Sequence, residues 1–145
     1  MKSELQELYS TFFEFVSYYF QVEKSAMRQS GPFSIFKKID YGEIAGQFSS
    51  IGFEIFMSGG DVEYNVYKND PVYGEFTVLL FSALQTLREL ADGQSDLYKR
   101  LDEKAHGVTY SMQDYKSDIQ KLDALKDKTT LVVDNLKRKY FQIFS

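Results

Sequence analysis

The interpretation of the fold depends on residues 53–66, which read FEIFMSGGDVEYNV. Two largely apolar runs flank Gly59-Gly60, and glycine accepts the positive φ that a type I′ turn requires. In the register that this turn sets, every pair on one face is apolar: Phe53 with Val66, Ile55 with Tyr64, and Met57 with Val62. Because the turn and the register agree, the sequence predicts a β-hairpin here.

The next segment, residues 71–81, fits two structures. Apolar residues in 76–81 favour a third strand that is buried on both sides. Asp70-Pro71 is also typical of a helix start, with Pro at the first helical position. We predict a strand followed by a helix that Asp92-Gly93 ends, with a new helix that begins at Ser95. A helix from Pro71 onward is the alternative.

Helices are predicted towards both ends of the chain. Residues 3–28 carry apolar side chains at alternating steps of three and four, on a face wide enough to pack against at least two elements. Phe33–Phe36 fits a short strand, and Asp40 is a helix N-cap. Gly107 is expected to end the preceding helix. A last helix over about 111–144 follows, and Ser111 would cap its start. That helix would be about 50 Å long.

These segments predict one α+β domain over residues 1–145. Long N- and C-terminal helices surround a small antiparallel hairpin or meander at about 52–81. An all-α helical bundle is the alternative.

Composition excludes several classes of function. The 145 residues include 21 acidic and 17 basic side chains, for a net charge of −4, and ten of the acids but only six of the bases fall in residues 1–72. An acidic protein is poorly suited to nucleic acid or to an anionic membrane, so we expect neither as a partner. Without cysteine the chain has no disulfides, no thiol catalysis and no thiolate metal site. The aromatic content of 17% exceeds what a disordered chain would carry.

Candidate catalytic and metal-binding residues are few. His106 is the single histidine, and Glu103 precedes it at the spacing used in di-iron bundles, which need two such motifs. We interpret His106 as a residue at a helix C-terminus, where the dipole favours it. Glu54 and Glu63 on the polar side of the hairpin could serve acid–base chemistry, although solvated acids usually only aid solubility. We therefore predict no enzyme activity, no cofactor and no metal.

The C-terminal stripe is the predicted binding site. A helix of 50 Å exceeds the width of a small domain, so part of its apolar face should meet another chain. The predicted partner-binding residues are Val132, Leu136, Lys137, Arg138, Lys139, Tyr140, Phe141, Ile143 and Phe144. The basic residues among them could dock an acidic partner or a lipid surface, or they could merely compensate the helix dipole. The many tyrosines likewise have two interpretations: they are partly buried core residues, or they belong to an interface.

We therefore expect a non-enzymatic protein-interaction module that self-associates through its helices, as a homodimer. The alternative is a small acidic inhibitor, an immunity-type protein or a secretion chaperone, which binds and masks one target protein. Acids at Glu4, Glu7 and Glu14 interrupt the apolar run that a secretory signal needs, so a cytoplasmic location is expected.

Overall fold

The computed structural model describes residues 2–29 and 39–144, and these form five α-helices. The helices are α1 (Lys2–Gln29), α2 (Tyr41–Phe56), α3 (Gly60–Tyr67), α4 (Gly74–Ala105) and α5 (Met112–Phe144). The described residues contain no strand, so the predicted α+β class is wrong and the alternative, an all-helical bundle, is confirmed. The strand predicted at 33–36 lies outside the described residues.

The predicted hairpin is instead the junction of α2 and α3. Gly59 does adopt a positive φ of 80°, as predicted, but it serves as the N-cap of α3 rather than a strand turn. Helix α2 runs through residue 52 because Ile44, Phe48, Ile51 and Ile55 form one buried stripe at helical spacing. Gly52 allows α2 to approach α4 closely, since a Cβ there would lie 2.3 Å from Asp92 Oδ1.

The strand predicted at 76–81 is also wrong, because this segment opens α4. The Asp70 carboxylate accepts hydrogen bonds from the backbone N–H groups of Val72 and Tyr73, at 2.8 and 2.9 Å. Asp70 therefore caps the turn at residues 71–73, and α4 begins at Gly74, three residues later than in the helical alternative, which began at Pro71. Along α4, Phe76, Leu80, Leu84 and Leu87 recur at helical spacing and are all buried.

Helix α4 does not stop at Asp92-Gly93, contrary to the prediction. A Cβ at Gly93 would lie 2.9 Å from Leu122 Cδ2, so this glycine gives α5 room to pack. Ser95 is no N-cap either, because its buried hydroxyl donates to the Ala45 carbonyl of α2 at 2.9 Å. Both residues take part in contacts between helices. Rules for helix ends that consider only neighbouring residues in the sequence do not include such contacts.

Three other predicted helix boundaries, at Asp40, Gly107 and Ser111, are confirmed. The Asp40 carboxylate accepts from Glu43 N at 2.9 Å and caps α2. The chain leaves α4 through Gly107 at a φ of 98°. The Ser111 hydroxyl then accepts from Asp114 N at 3.0 Å and begins α5.

Helix α4 is the centre of the bundle, and it packs against each of the other four helices. One hydrophobic core draws residues from all five, including Phe12, Phe48, Tyr67, Phe76 and Leu136. The wide apolar face of α1 meets α2, α3 and α4, as its width predicted. Within the described residues, no helical stretch combines the length and the hydropathy that crossing a bilayer requires.

Candidate protein-binding site

The clearest exposed apolar surface lies on α2 and α3. We call it the α2–α3 face, and its side chains are between 55% and 64% exposed: Phe53, Phe56, Met57, Val62 and Val66. Phe56 and the C-cap residue Met57 follow Phe53 by three and four positions, and the two α3 members are four residues apart, so each set shares one side of its helix. Exposed apolar surface of this kind typically marks protein-binding sites, and all five residues fall within residues 53–66.

The α2–α3 face exists because α2 is apolar on two sides. One side carries the buried stripe that ends at Ile55, and the other carries Phe53 and Met57. A solvent-exposed helix usually needs only one apolar side. The second side contributes nothing to the core of this chain, so its apolar residues are available to a partner.

Three contacts hold α3 in position. Tyr67 is buried, and its hydroxyl donates to Glu4 Oε2 of α1 at 2.7 Å, which raises the pKa of Tyr67 to about 12. The Tyr64 ring stacks on the Phe81 ring of α4, with centroids 4.3 Å apart. Gly60 lies so close to Leu84 that a Cβ would come within 2.9 Å of Leu84 Cδ1. These contacts fix the eight-residue helix α3 against α1 and α4.

Acidic side chains accompany the α2–α3 face. Glu54 and Asp61 are exposed, and Glu63 is half-buried, with its pKa raised by burial and by the nearby charge of Glu4. The neighbouring cations lie over aromatic rings, with Arg88 Cζ 4.9 Å from the Phe56 centroid and Lys68 Nζ 5.4 Å from the Tyr64 centroid. Charges of both signs therefore accompany the apolar residues of the face, three acids and two cations.

The predicted partner-binding residues of α5 divide between core and surface. Leu136 is fully buried, and four others are half-buried against the core: Val132, Tyr140, Ile143 and Phe144. The Phe144 ring stacks on Tyr73 with centroids 5.7 Å apart. Phe141, by contrast, is 64% exposed.

The three basic residues of this set have partners within their own chain. Lys139 Nζ lies 2.6 Å from Glu75 Oε2, and this hydrogen bond lowers the pKa of Glu75. Arg138 Nη2 donates to Asn135 Oδ1 at 3.2 Å, and Lys137 Nζ lies 5.5 Å from the Phe13 centroid. The bundle thus brings the nine residues to one end of α5, where most of them contact α1, α4 or α5 itself.

The candidate catalytic and metal-binding residues do not come together. His106 is exposed at the end of α4, and its Nδ1 lies 2.7 Å from the Asp102 carbonyl oxygen. Glu54 and Glu63 belong to different helices instead of one polar hairpin side. Among the described residues, no group of three or more His, Cys, Asp or Glu side chains could hold a metal ion.

The exposed α2–α3 face was not predicted from the sequence, because the hairpin places Phe53, Met57, Val62 and Val66 on its buried side. The signal that could have identified the face is the helical period from Ile44 to Ile55. Continued through Gly52, that period leaves Phe53 and Met57 on the opposite side of α2.

Comparison of the chain with protein-family models, with curated proteins and with solved structures found no match.

Proposed function

We propose that this protein is a non-enzymatic helical protein that binds and masks one target protein through the α2–α3 face. The observation that carries the proposal is the exposure of five large apolar residues on two consecutive helices. Phenylalanine and methionine are enriched at the centres of protein interfaces. A few such residues supply most of the affinity of an interface.

The charges beside the face indicate the chemistry of the target. Glu54, Asp61 and Glu63 would meet a surface that is apolar at its centre and basic at its rim, because complementary charges steer association and fix the register. The excess of acids over bases in residues 1–72 acts in the same direction. A small acidic protein that covers a basic and apolar region of its target would act as an inhibitor or a chaperone, because it keeps other molecules from that region.

Self-association through α5 is the competing proposal. The large apolar residues that α5 could offer to a second copy are Phe141, Leu131 and Met112, which are 64%, 60% and 62% exposed. Because Leu136 and Tyr140 pack within the chain, such a dimer would use a narrower surface than the sequence predicted. A cytoplasmic location also remains a proposal, and the absence of cysteine supports it.

A binding experiment with matched variants tests the proposed function. The target is first captured from an extract of the source cells, identified, purified and titrated with the protein by calorimetry. We expect a one-to-one complex that the double variant Phe53→Ser, Met57→Ser weakens by at least about 30-fold, as loss of a hot spot does. Leu131→Ser removes a side chain of similar exposure from α5 and should leave the affinity unchanged.

Two results would contradict the proposal. One is equal binding of the target by the double variant and by the wild type. The other is a stable homodimer in light scattering that Leu131→Ser or Phe141→Ser converts to a monomer, which would favour self-association through α5.

A further inference from the structure

A cavity of about 410 Å³ lies between α1 and α5, with α4 as its floor. We call it the α1–α5 groove, and its apolar lining is formed by Phe13, Val16, Phe20, Leu87, Leu90 and Val133. Small-molecule sites typically have about 300–1,000 Å³ and a predominantly apolar lining. None of the residues that line the groove belongs to the α2–α3 face, so binding in the groove does not depend on the proposed function.

The groove stays open because α1 and α5 contact each other at both ends of the groove, while the side chains between these contacts do not fill the space. At one end the Tyr9 and Tyr140 rings stack, and at the other Lys126 Nζ lies 3.1 Å from Glu23 Oε2. Between these contacts α5 presents short side chains to the groove, Thr129, Thr130 and Val133. On the opposite wall the Phe20 side chain is 58% exposed.

The polar groups that line the groove are mostly engaged within the protein. The Tyr19 hydroxyl donates to Glu23 Oε2 at 2.9 Å and accepts from Gln94 Nε2 at 3.1 Å. The hydroxyls of Thr129 and Thr130 donate to backbone carbonyls of their own helix, at 2.7 and 3.0 Å. An occupant would therefore contact an apolar interior in which few polar groups need a hydrogen-bond partner. Such an interior suits an aliphatic chain, which can form no hydrogen bonds.

Lys137 supplies a charge at the mouth of the groove. Its ammonium lies 5.5 Å from the Phe13 centroid, and no carboxylate among the described residues forms a salt bridge with it. Lys126, the other cation of the lining, is already paired with Glu23. Asp134 also lines the groove one turn before Lys137, so a carboxylate head group would have to contact the ammonium directly to offset the repulsion from Asp134.

We propose that the α1–α5 groove binds a single aliphatic chain that ends in a carboxylate, with the chain on Leu87 and Leu90 and the carboxylate at Lys137. A hydrogen bond between an ammonium and a carboxylate is among the stronger ones in proteins, which favours this head group over a hydroxyl or a cation. The chain would cover Phe20 and Val133, which the fold leaves partly in water.

The test uses the purified protein without any target, so its outcome does not depend on the proposed function. Dodecanoate, dodecanol and dodecyltrimethylammonium are titrated below their micelle concentrations by calorimetry. We expect saturable one-to-one binding of dodecanoate, with the other two ligands weaker by at least about threefold. Lys137→Gln should remove this preference, whereas Arg138→Gln, at the exposed next position, should keep it.

Filling the groove provides the second arm. Val133→Phe should weaken dodecanoate binding by at least about tenfold. Thr130→Phe, which changes an exposed residue of the same wall, provides the same test if Val133→Phe does not fold. Methyl resonances of Val16, Leu87 and Leu90 should shift with dodecanoate while those of Val62 and Val66 stay.

The proposal is overturned if dodecanoate shows no saturable binding or if the folded filling variant binds it as the wild type does. Shifts at Val62 and Val66 alone would also overturn it. Equal affinity for dodecanoate and dodecanol would overturn the assignment of the carboxylate to Lys137.

Discussion

The ring of Tyr9 on α1 lies flat against the ring of Tyr140 on α5, with centroids 4.0 Å apart and planes 9° apart. Gln6 Nε2 adds a hydrogen bond to the Tyr140 hydroxyl at 3.3 Å. Burial, together with the proximity of Tyr140, raises the pKa of Tyr9. This contact joins the first and last helices, so the C-terminal apolar stripe contributes to the fold of its own chain.

Tyr140→Ala should therefore destabilise the protein. We expect the free energy of unfolding to fall by about 2–3 kcal/mol, because a stacked aromatic ring and its buried area are both lost. Leu131→Ala on the same helix removes a mostly exposed side chain and should change stability by less than about 0.5 kcal/mol. Urea unfolding followed by circular dichroism measures both. Equal losses for the two variants would contradict a structural role for the Tyr9–Tyr140 stack.

Two glycine substitutions should have opposite effects on stability. Gly59 has a φ of 80°, so Gly59→Ala should cost about 1 kcal/mol of unfolding free energy. Gly46 lies inside α2, and an added Cβ would meet nothing within 4 Å, so Gly46→Ala should add about 0.5–1 kcal/mol. Thermal unfolding of the two variants is the measurement. A gain in stability from Gly59→Ala would show that the junction of α2 and α3 has a different backbone.

Asp118 should make stability depend on acid pH. The Tyr110 hydroxyl donates to its carboxylate, and Arg100 Nη1 lies 2.6 Å from the same oxygen. The hydrogen bond from Tyr110 and the charge of Arg100 both favour the ionised form, so the pKa of Asp118 is lowered in the folded protein. The carboxylate thus stabilises the fold above its unfolded pKa, and this contribution is lost as the pH falls through the folded pKa.

We expect the unfolding free energy of the wild type to fall more steeply between about pH 5 and pH 2 than that of Asp118→Asn. Asp123→Asn, an exposed carboxylate on the same helix, should keep the slope of the wild type. Urea unfolding across this pH range is the measurement. Parallel curves for wild type and Asp118→Asn would exclude a stabilising role of the Asp118 carboxylate.

Charge reversal beside the α2–α3 face should slow association with the target. Asp61→Lys reverses an exposed charge next to Val62, and a target with a basic rim would be repelled. We expect the association rate to fall by about tenfold at low salt and to approach the wild-type rate as salt screens the charges. Asp123→Lys makes the same charge change on α5. If it slows association as much as Asp61→Lys does, the effect comes from net charge rather than from this face.

Local signals in the sequence were sufficient for several boundaries of the fold. Asp40 and Ser111 cap helices as predicted, because a cap depends on a side chain and on backbone groups three residues away. The break at Gly107 is local in the same sense. The length of α5 followed from a sustained helical stripe that no glycine or proline interrupts.

The errors arose where contacts between distant residues decide the structure. Gly59 with a positive φ suits a hairpin turn and a helix junction equally. Only the packing of the bundle, which buries Ile55 but leaves Phe53 and Met57 exposed, distinguishes them. Gly93 and Ser95 looked like helix ends because their partners, Leu122 and Ala45, are far away in sequence. For the candidate site, an apolar stripe does not reveal whether it meets its own chain or another.

Hydrogen exchange of the protein alone and in complex with its purified target is the sharpest test of binding through the α2–α3 face. Helix α3 has only eight residues and lies at the surface, so its amides should exchange readily until a partner covers them. We expect slower exchange on binding in residues 53–67 and unchanged exchange in residues 126–144. Protection confined to residues 126–144, with none in residues 53–67, would contradict binding through this face.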